Sequence, residues 1–187
     1  MEWILASASP RRKELLKEIL PTFEIIPSCA EEDAPSNLTP SELVKLLAKR
    51  KAEEVARRPE ADGKAVLGSD TVVAFEGKIL GKPKDEQDAI AMLSALSGKT
   101  HEVYTGVCML LPNGKGGWIE KTDADCTKVL FLNLTEEKIR AYVATGSPMD
   151  KAGAYGIQDG DLVERIEGSF SNVIGLPVEL CRKMMED

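Results

Sequence analysis

A short run of hydroxyl and arginine side chains near the start of the chain could bind an anion. It is Ser7-Ala8-Ser9-Pro10-Arg11-Arg12, directly after an apolar segment at 3–5. Pro10 favours the first position of a helix, so the run lies at a helix N-terminus, where free N–H groups and the helix dipole attract negative charge. The planar fork of arginine suits phosphate oxygens. The simpler alternative is a serine cap beside two solvated arginines.

A carboxylate in an apolar strand is the second candidate. The stretch 65–75 predicts a buried strand, and Asp70 lies within it. A buried carboxylate is costly unless a cation, a metal or several donors compensate it. Asp70 could be purely structural, or it could bind Mg²⁺ or activate water at a cleft wall. The acidic turn with Glu31 and Glu32 could supply a second oxygen ligand, or it could simply be solvated.

Two lysines complete the set of candidates. Thr39-Pro40-Ser41-Glu42 is a capping box that predicts a helix from 40 to about 58. Lys51 falls on the apolar face of that helix, between Leu47 and Val44, so it either extends its ammonium past the apolar surface or reaches a ligand. Lys82 stands in the turn Gly81-Lys82-Pro83, a position that carries no information on its own.

Composition excludes several classes of function. The net charge of −7 argues against a broad nucleic-acid or membrane surface, and the N-terminus carries no signal-peptide pattern, so we expect a cytoplasmic protein with neither partner. The four cysteines have no zinc-site spacing and are expected to be reduced core residues. Ser97-Gly98-Lys99-Thr100 lacks the first glycine of a phosphate-binding loop, and His101, the one histidine, is expected at a strand edge.

The hydrophobic pattern predicts an alternation of helices and strands. Long strands that return as hairpins, mixed with helices, indicate an α/β fold with a mixed, twisted sheet and flanking helices. The predicted strands lie at 3–5, 23–27, 65–75, 103–111 and 118–132. The predicted helices begin at residues 10, 40, 84, 135 and 177. The glycine-rich segment from 146 to 175 is expected to form loops and short strands.

Taken together, these motifs resemble the Maf family of nucleoside triphosphate pyrophosphatases. The resemblance is collinear and covers almost the whole chain. The motifs that carry it are Ser7-Ala8-Ser9-Pro10-Arg11-Arg12, Lys51-Ala52, Ser69-Asp70-Thr71-Val72-Val73, Gly81-Lys82-Pro83, Leu96-Ser97-Gly98-Lys99, the segment 150–158 (DKAGAYGIQ) and the segment 172–177 (NVIGLP).

The resemblance implies one domain over residues 1–187, with two lobes around a central cleft, as in inosine triphosphate pyrophosphatases. It implies Mg²⁺-dependent cleavage between the α and β phosphates, and it leaves room for a homodimer. Asp70 would accept a proton from the attacking water, and Glu32 would help Asp70 hold the metal, although Glu31 and Asp33 compete for that role. The residues that would surround the triphosphate are Ser7, Arg12, Lys51 and Lys82.

Three positions resemble the branch of the family that acts on dTTP and UTP, namely Arg11, Thr71 and Gln158. An amide such as Gln158 can pair with the donor and acceptor edge shared by uracil and thymine. The alternatives are the branch that acts on 7-methyl-GTP, a nucleotide sensor without turnover, and a regulatory protein of cell division that binds partners.

Overall fold

A seven-stranded mixed sheet forms the centre of the molecule in the computed structural model, which describes residues 1–187. The strand order is β2-β1-β3-β5-β6-β7, and β4 pairs with the end of β3. Strand β1 runs parallel to β2 and β3, whereas all other pairs are antiparallel. The strands are β1 (Trp3–Leu5), β2 (Glu24–Ile25), β3 (Ala65–Phe75), β4 (Lys78–Leu80), β5 (Thr100–Pro112), β6 (Trp118–Phe131) and β7 (Val163–Glu167). This architecture confirms the predicted α/β class.

Six α-helices flank the sheet, and local signals in the sequence explain where the main ones begin. Ser9 caps the first helix and Thr39 the second, each followed by proline at the first helical position. The helices are α1 (Pro10–Leu16), α2 (Pro40–Ala56), α3 (Glu86–Leu96), α4 (Glu136–Ala144), α5 (Phe170–Ile174) and α6 (Val178–Glu186). None of them is long and apolar enough to cross a lipid bilayer.

Two glycines allow helix α2 to lie directly against the sheet. A Cβ atom on Gly68 of β3 would stand 2.3 Å from the backbone oxygen of Ala48, and one on Gly106 of β5 would stand 2.3 Å from that of Val44. Any side chain at either position would therefore push the helix outward. This close packing brings Lys51, on the fourth turn of α2, over the middle of β3.

Three apolar clusters hold the layers together. The first packs α1 and α6 against β1, β3 and β5, with Leu67 fully buried within it. The second packs α3 and α4 against the sheet around Phe131, and the third places Val55 of α2 against β1 and β3. The sheet is thus covered by helices on both faces.

The structure departs from the sequence-based expectations at several places. Strand β5 begins at 100 rather than 103, and the segment 146–175 contains the short helix α5 in addition to a short strand of the expected kind, β7. Cys108 and Cys181 are buried as expected, but Cys29 and Cys126 are exposed, so the prediction of four core cysteines was wrong for two of them. Cys29 lies in the loop after β2, where no apolar cluster covers it. None of the four is bridged.

Candidate active site

A single cleft of about 960 Å³ is lined by nine of the residues that the sequence singled out for chemistry, although not by Glu31. One wall is formed by α1 and the loop before it, the floor by β3, and the opposite wall by the segment from 150 to 158. The predicted residues that line it are Ser7, Arg11, Arg12, Glu32, Lys51, Asp70, Thr71, Lys82 and Gln158. The structure therefore brings together all nine positions, which are spread over 150 residues of sequence.

Lys51 lies between two carboxylates at the floor of the cleft. Its Nζ is 2.6 Å from Asp70 Oδ1 and 2.9 Å from Glu32 Oε1. The side chains of Lys51 and Asp70 are only 15% and 10% exposed, whereas that of Glu32 is 61% exposed. The hydrogen bond from Lys51, together with its charge, lowers the pKa of Glu32. Of the two sequence-based alternatives for Lys51, the ammonium turns into the cleft rather than out past the apolar face.

Arg12 is fixed by three acceptors on three different elements. Its Nε donates to the carbonyl oxygen of Gly175 at 2.8 Å, and its two terminal nitrogens donate to Ser7 Oγ at 3.3 Å and to Thr71 Oγ1 at 3.1 Å. Burial lowers the pKa of Arg12 while Asp70 acts in the opposite direction. A guanidinium keeps its proton at any physiological pH, so the cleft retains a fixed positive charge beside α1.

The opposite wall places Gln158 at the rim. Gln158 is exposed within a short 3-10 turn, Ile157–Asp159. Tyr142 holds this turn from behind, because its hydroxyl accepts from Gly156 N–H at 3.0 Å and donates to Asp159 Oδ2 at 2.7 Å. Arg11 faces the same wall, with a terminal nitrogen 3.8 Å from Asp150 Oδ2. The three expected specificity positions thus line the same cleft, with Gln158 at the rim and Thr71 on the floor strand.

Asp70 and Glu32 are suited to hold a divalent cation. Both carboxylates contact the Lys51 ammonium, so they lie close together, and a divalent cation would bind to their remaining oxygens beside Lys51. No group of three acidic, histidine or cysteine side chains with metal-ligand geometry exists in the chain. Mg²⁺ is commonly held by one or two carboxylates together with substrate phosphates, and this donor set fits that pattern. Among the three adjacent acids, Glu32 is the one that contacts Lys51.

Sequence reasoning missed the polar residues behind the cleft. Ser69 and Thr105 are fully buried, and so is Asn172 in the middle of α5. Ser69 Oγ donates to the Gly175 carbonyl at 3.2 Å, the same oxygen that accepts from Arg12. Thr105 stands in an apolar strand, as Asp70 does, but a buried hydroxyl carries no charge that must be compensated, so it gave no comparable signal.

His101 is not the strand-edge residue that the sequence suggested. It is 2% exposed, and its Nε2 lies 2.7 Å from the Tyr155 hydroxyl in an aromatic cluster with Phe131. Burial lowers the pKa of His101 to about 4. The reason for the error is the earlier start of β5, which carries His101 inside the second apolar cluster.

Comparison with known proteins agrees with this geometry. The family model described as Maf-like protein matches residues 2–187. The chain belongs to the Maf family. A Maf relative from Geobacillus sp. (strain WCH70), named dTTP/UTP pyrophosphatase, is 51% identical over 178 residues, which cover 94% of this chain and 91% of the relative.

Other Maf relatives carry the same name. The protein from Carboxydothermus hydrogenoformans, also named dTTP/UTP pyrophosphatase, is 50% identical over 190 residues and covers 100% of this chain and 98% of its own. Among solved structures, a HAM1 protein from Coxiella burnetii overlays with a TM-score of 0.48 and 15% identity, over 100% of this chain and 98% of that one. The assignment to the Maf family rests on the sequence matches.

Proposed function

We propose that this protein hydrolyses dTTP and UTP between the α and β phosphates, releasing the nucleoside monophosphate and pyrophosphate in the cytoplasm. The observation that carries the proposal is the contact between Asp70 and Lys51 at the floor of the cleft, 2.6 Å apart and largely shielded from water. A carboxylate is costly at such a position. It is well placed to accept a proton from water beside a polyphosphate. The relatives named dTTP/UTP pyrophosphatase support the choice of substrate.

Four side chains would bind the triphosphate. Arg12 and Ser7 stand at the N-terminus of α1, Lys51 at the floor and Lys82 at the exposed turn across the cleft. Phosphoryl transfer depends mainly on positioning and on neutralising the charge of the phosphate oxygens. Arg12 is already held by its three acceptors, so it would meet the phosphates without further ordering.

Asp70 would then act as the general base. The oxygen of a water molecule forms a bond to the α phosphorus as its proton passes to the Asp70 carboxylate. The bond from the α phosphorus to the bridging oxygen breaks, and pyrophosphate leaves. Asp70 and Glu32 would hold a magnesium ion, which would supply further neutralisation of the phosphate oxygens when bound.

The rim of the cleft would select the base. Uracil and thymine present a carbonyl at position 4 and an N–H at position 3, whereas cytosine reverses this order. A Gln158 amide held in one orientation would donate to the carbonyl at position 4 and accept from the N–H at position 3, whereas cytosine would require the flipped amide. Thr71 and Arg11 line the same cleft. Once the bound base covers Gln158, a mismatch that leaves either group unpaired would cost about 1–3 kcal/mol.

The test is a panel of triphosphates incubated with the purified protein and Mg²⁺. The panel contains dTTP, UTP, CTP, GTP and 7-methyl-GTP, and the products are separated by ion-exchange chromatography. We expect monophosphate and pyrophosphate from dTTP and UTP, and slow turnover of the others. Faster turnover of 7-methyl-GTP would contradict the substrate assignment. Tight binding of dTTP without turnover would indicate a sensor, and neither binding nor turnover would favour a regulatory, partner-binding role.

A further inference from the structure

A line of four polar groups runs from the cleft to the interior of the sheet. The Arg12 terminal nitrogen is 3.1 Å from Thr71 Oγ1, which is 2.9 Å from Thr105 Oγ1. Thr105 Oγ1 is in turn 2.9 Å from the backbone oxygen of Asn172. Thr71 and Thr105 are directly opposite each other in the antiparallel pair of β3 and β5. The four groups therefore form one continuous hydrogen-bonded chain.

The two ends of this chain fix the direction of every bond in it. A guanidinium can only donate, and a carbonyl oxygen can only accept. Thr105 must therefore donate its proton to the Asn172 carbonyl, which leaves only lone pairs on Thr105 Oγ1 to face Thr71. Thr71 must donate to Thr105 and accept from Arg12. The hydroxyl of Thr71 is thus held as an acceptor on the side that faces Arg12.

The inner end of the chain is firmly anchored. The side-chain nitrogen of Asn172 donates to the backbone oxygen of Val103 at 3.0 Å and to Thr127 Oγ1 at 3.0 Å. Asn172 and Thr105 are both 0% exposed. The short helix α5 is thereby tied to β5 and β6, and its carbonyl oxygen cannot move away from Thr105 without breaking buried bonds.

We propose that Thr105 is a positioning residue, which acts through Thr71 to hold the Arg12 guanidinium in its binding orientation. Thr105 is not part of the cleft lining, so it does not touch a bound nucleotide. Without its hydroxyl, the Thr71 proton loses its acceptor and can turn toward Arg12, where it opposes the guanidinium instead of accepting from it. The inference rests on the proposed function for its assay substrate, dTTP.

The direct test is Thr105→Val, with Thr105→Ser as the matched control that keeps the hydroxyl. Arg12 would bind phosphates in the ground state and the transition state alike, so its loss of orientation raises KM more than it lowers kcat. We expect KM for dTTP to rise about tenfold in Thr105→Val, the size of one hydrogen bond to a charged group. Thr105→Ser should return KM to within about twofold of the parent. Unchanged KM in a folded Thr105→Val protein would overturn the proposal.

A double-mutant cycle separates action through Thr71 from a general structural effect. In a Thr71→Val background the chain is already broken, so adding Thr105→Val should change KM by less than about twofold. A second, independent tenfold rise would overturn the proposal. Thermal unfolding checks that each variant folds, and Thr105→Ala takes the place of Thr105→Val if the latter does not.

The affinity for α,β-methylene-dTTP, measured by calorimetry, distinguishes this inference from the proposed function. The analogue cannot be cleaved at the α–β position, so its binding reports on Arg12 even if the parent protein has no turnover. If the parent protein hydrolyses dTTP but the effects of the two substitutions on binding are additive, the role of Thr105 is refuted and the proposed hydrolase function stands. If the parent protein does not hydrolyse dTTP but the effects of the two substitutions on binding are non-additive, the hydrolase function is refuted and the role of Thr105 is supported.

Discussion

Replacing Lys51 by methionine should destabilise the protein, although the sequence alone predicts the opposite. On the apolar face of a helix, removal of a charge is expected to leave stability unchanged or raise it. In the structure, Lys51 is the ammonium that faces Asp70 at 2.6 Å, and the Asp70 side chain is only 10% exposed. Lys51→Met keeps most of the side-chain stem and leaves this carboxylate without its cation.

The size of the effect follows from the burial of the two partners. Removing one member of a buried ion pair costs about 3–5 kcal/mol, and the slight exposure of Asp70 places this case near about 3 kcal/mol. The second contact of Lys51, with Glu32, is left out because the Glu32 side chain is 61% exposed and solvent screens it. For a chain of this length, about 3 kcal/mol corresponds to a fall in Tm of roughly 6–12 °C.

Urea unfolding and thermal scans at pH 7 provide the assay. Lys45→Met, on the same helix, controls for the loss of a lysine as such. The double variant Lys51→Met/Asp70→Asn removes both charges and should recover most of the lost stability, because a buried pair replaced on both sides is close to neutral. A Lys51→Met protein as stable as its parent would refute the argument that this pair compensates the Asp70 carboxylate.

Two further predictions concern the rim of the cleft and the aromatic cluster. Gln158→Glu should lower turnover of dTTP and UTP roughly tenfold to a hundredfold, because a carboxylate cannot donate and adds negative charge near the phosphates; unchanged steady-state kinetics would remove Gln158 from the site. His101 binds a proton less readily in the folded state, where its pKa is about 4, than in the unfolded chain, where it is about 6.5. The stability that depends on a neutral His101 is therefore complete above pH 6.5 and is lost as the pH falls toward 4. Urea unfolding at pH 4.5 should show a free energy of unfolding about 2–3 kcal/mol lower than at pH 7, and this part of the loss should be absent in His101→Gln. Parallel pH profiles of the two proteins would contradict this.

Local patterns in the sequence predicted where individual helices and strands lie better than they predicted how those helices and strands pack together. The capping box at Thr39 and the proline at residue 40 fix where α2 begins, and the structure has it there. Strand β5 starts three residues earlier than its apolar run, because pairing with β6 holds its polar first residues in the sheet. Helix α5 was missed, since five residues in a glycine-rich segment carry too little periodicity to stand out.

The candidate site shows the same division between local and long-range information. The types of residue at the cleft were visible in the sequence, because a carboxylate in an apolar strand and a lysine on an apolar helix face break the local pattern. Their pairing was not visible. Lys51 meets Asp70 only because Gly68 and Gly106 allow α2 to lie against the sheet. Thr105 and Asn172 stayed hidden because a buried hydroxyl or amide is informative only when its partners are known.

The central claim is that Asp70 acts as the base in cleavage between the α and β phosphates of dTTP. The most direct test compares the parent protein with Asp70→Asn, with dTTP and Mg²⁺ in excess and products resolved by ion-exchange chromatography. We expect the parent to yield dTMP and pyrophosphate, and Asp70→Asn to be folded but about 10²–10⁴-fold slower. Release of dTDP and phosphate by the parent, or near-normal turnover in folded Asp70→Asn, would contradict the claim.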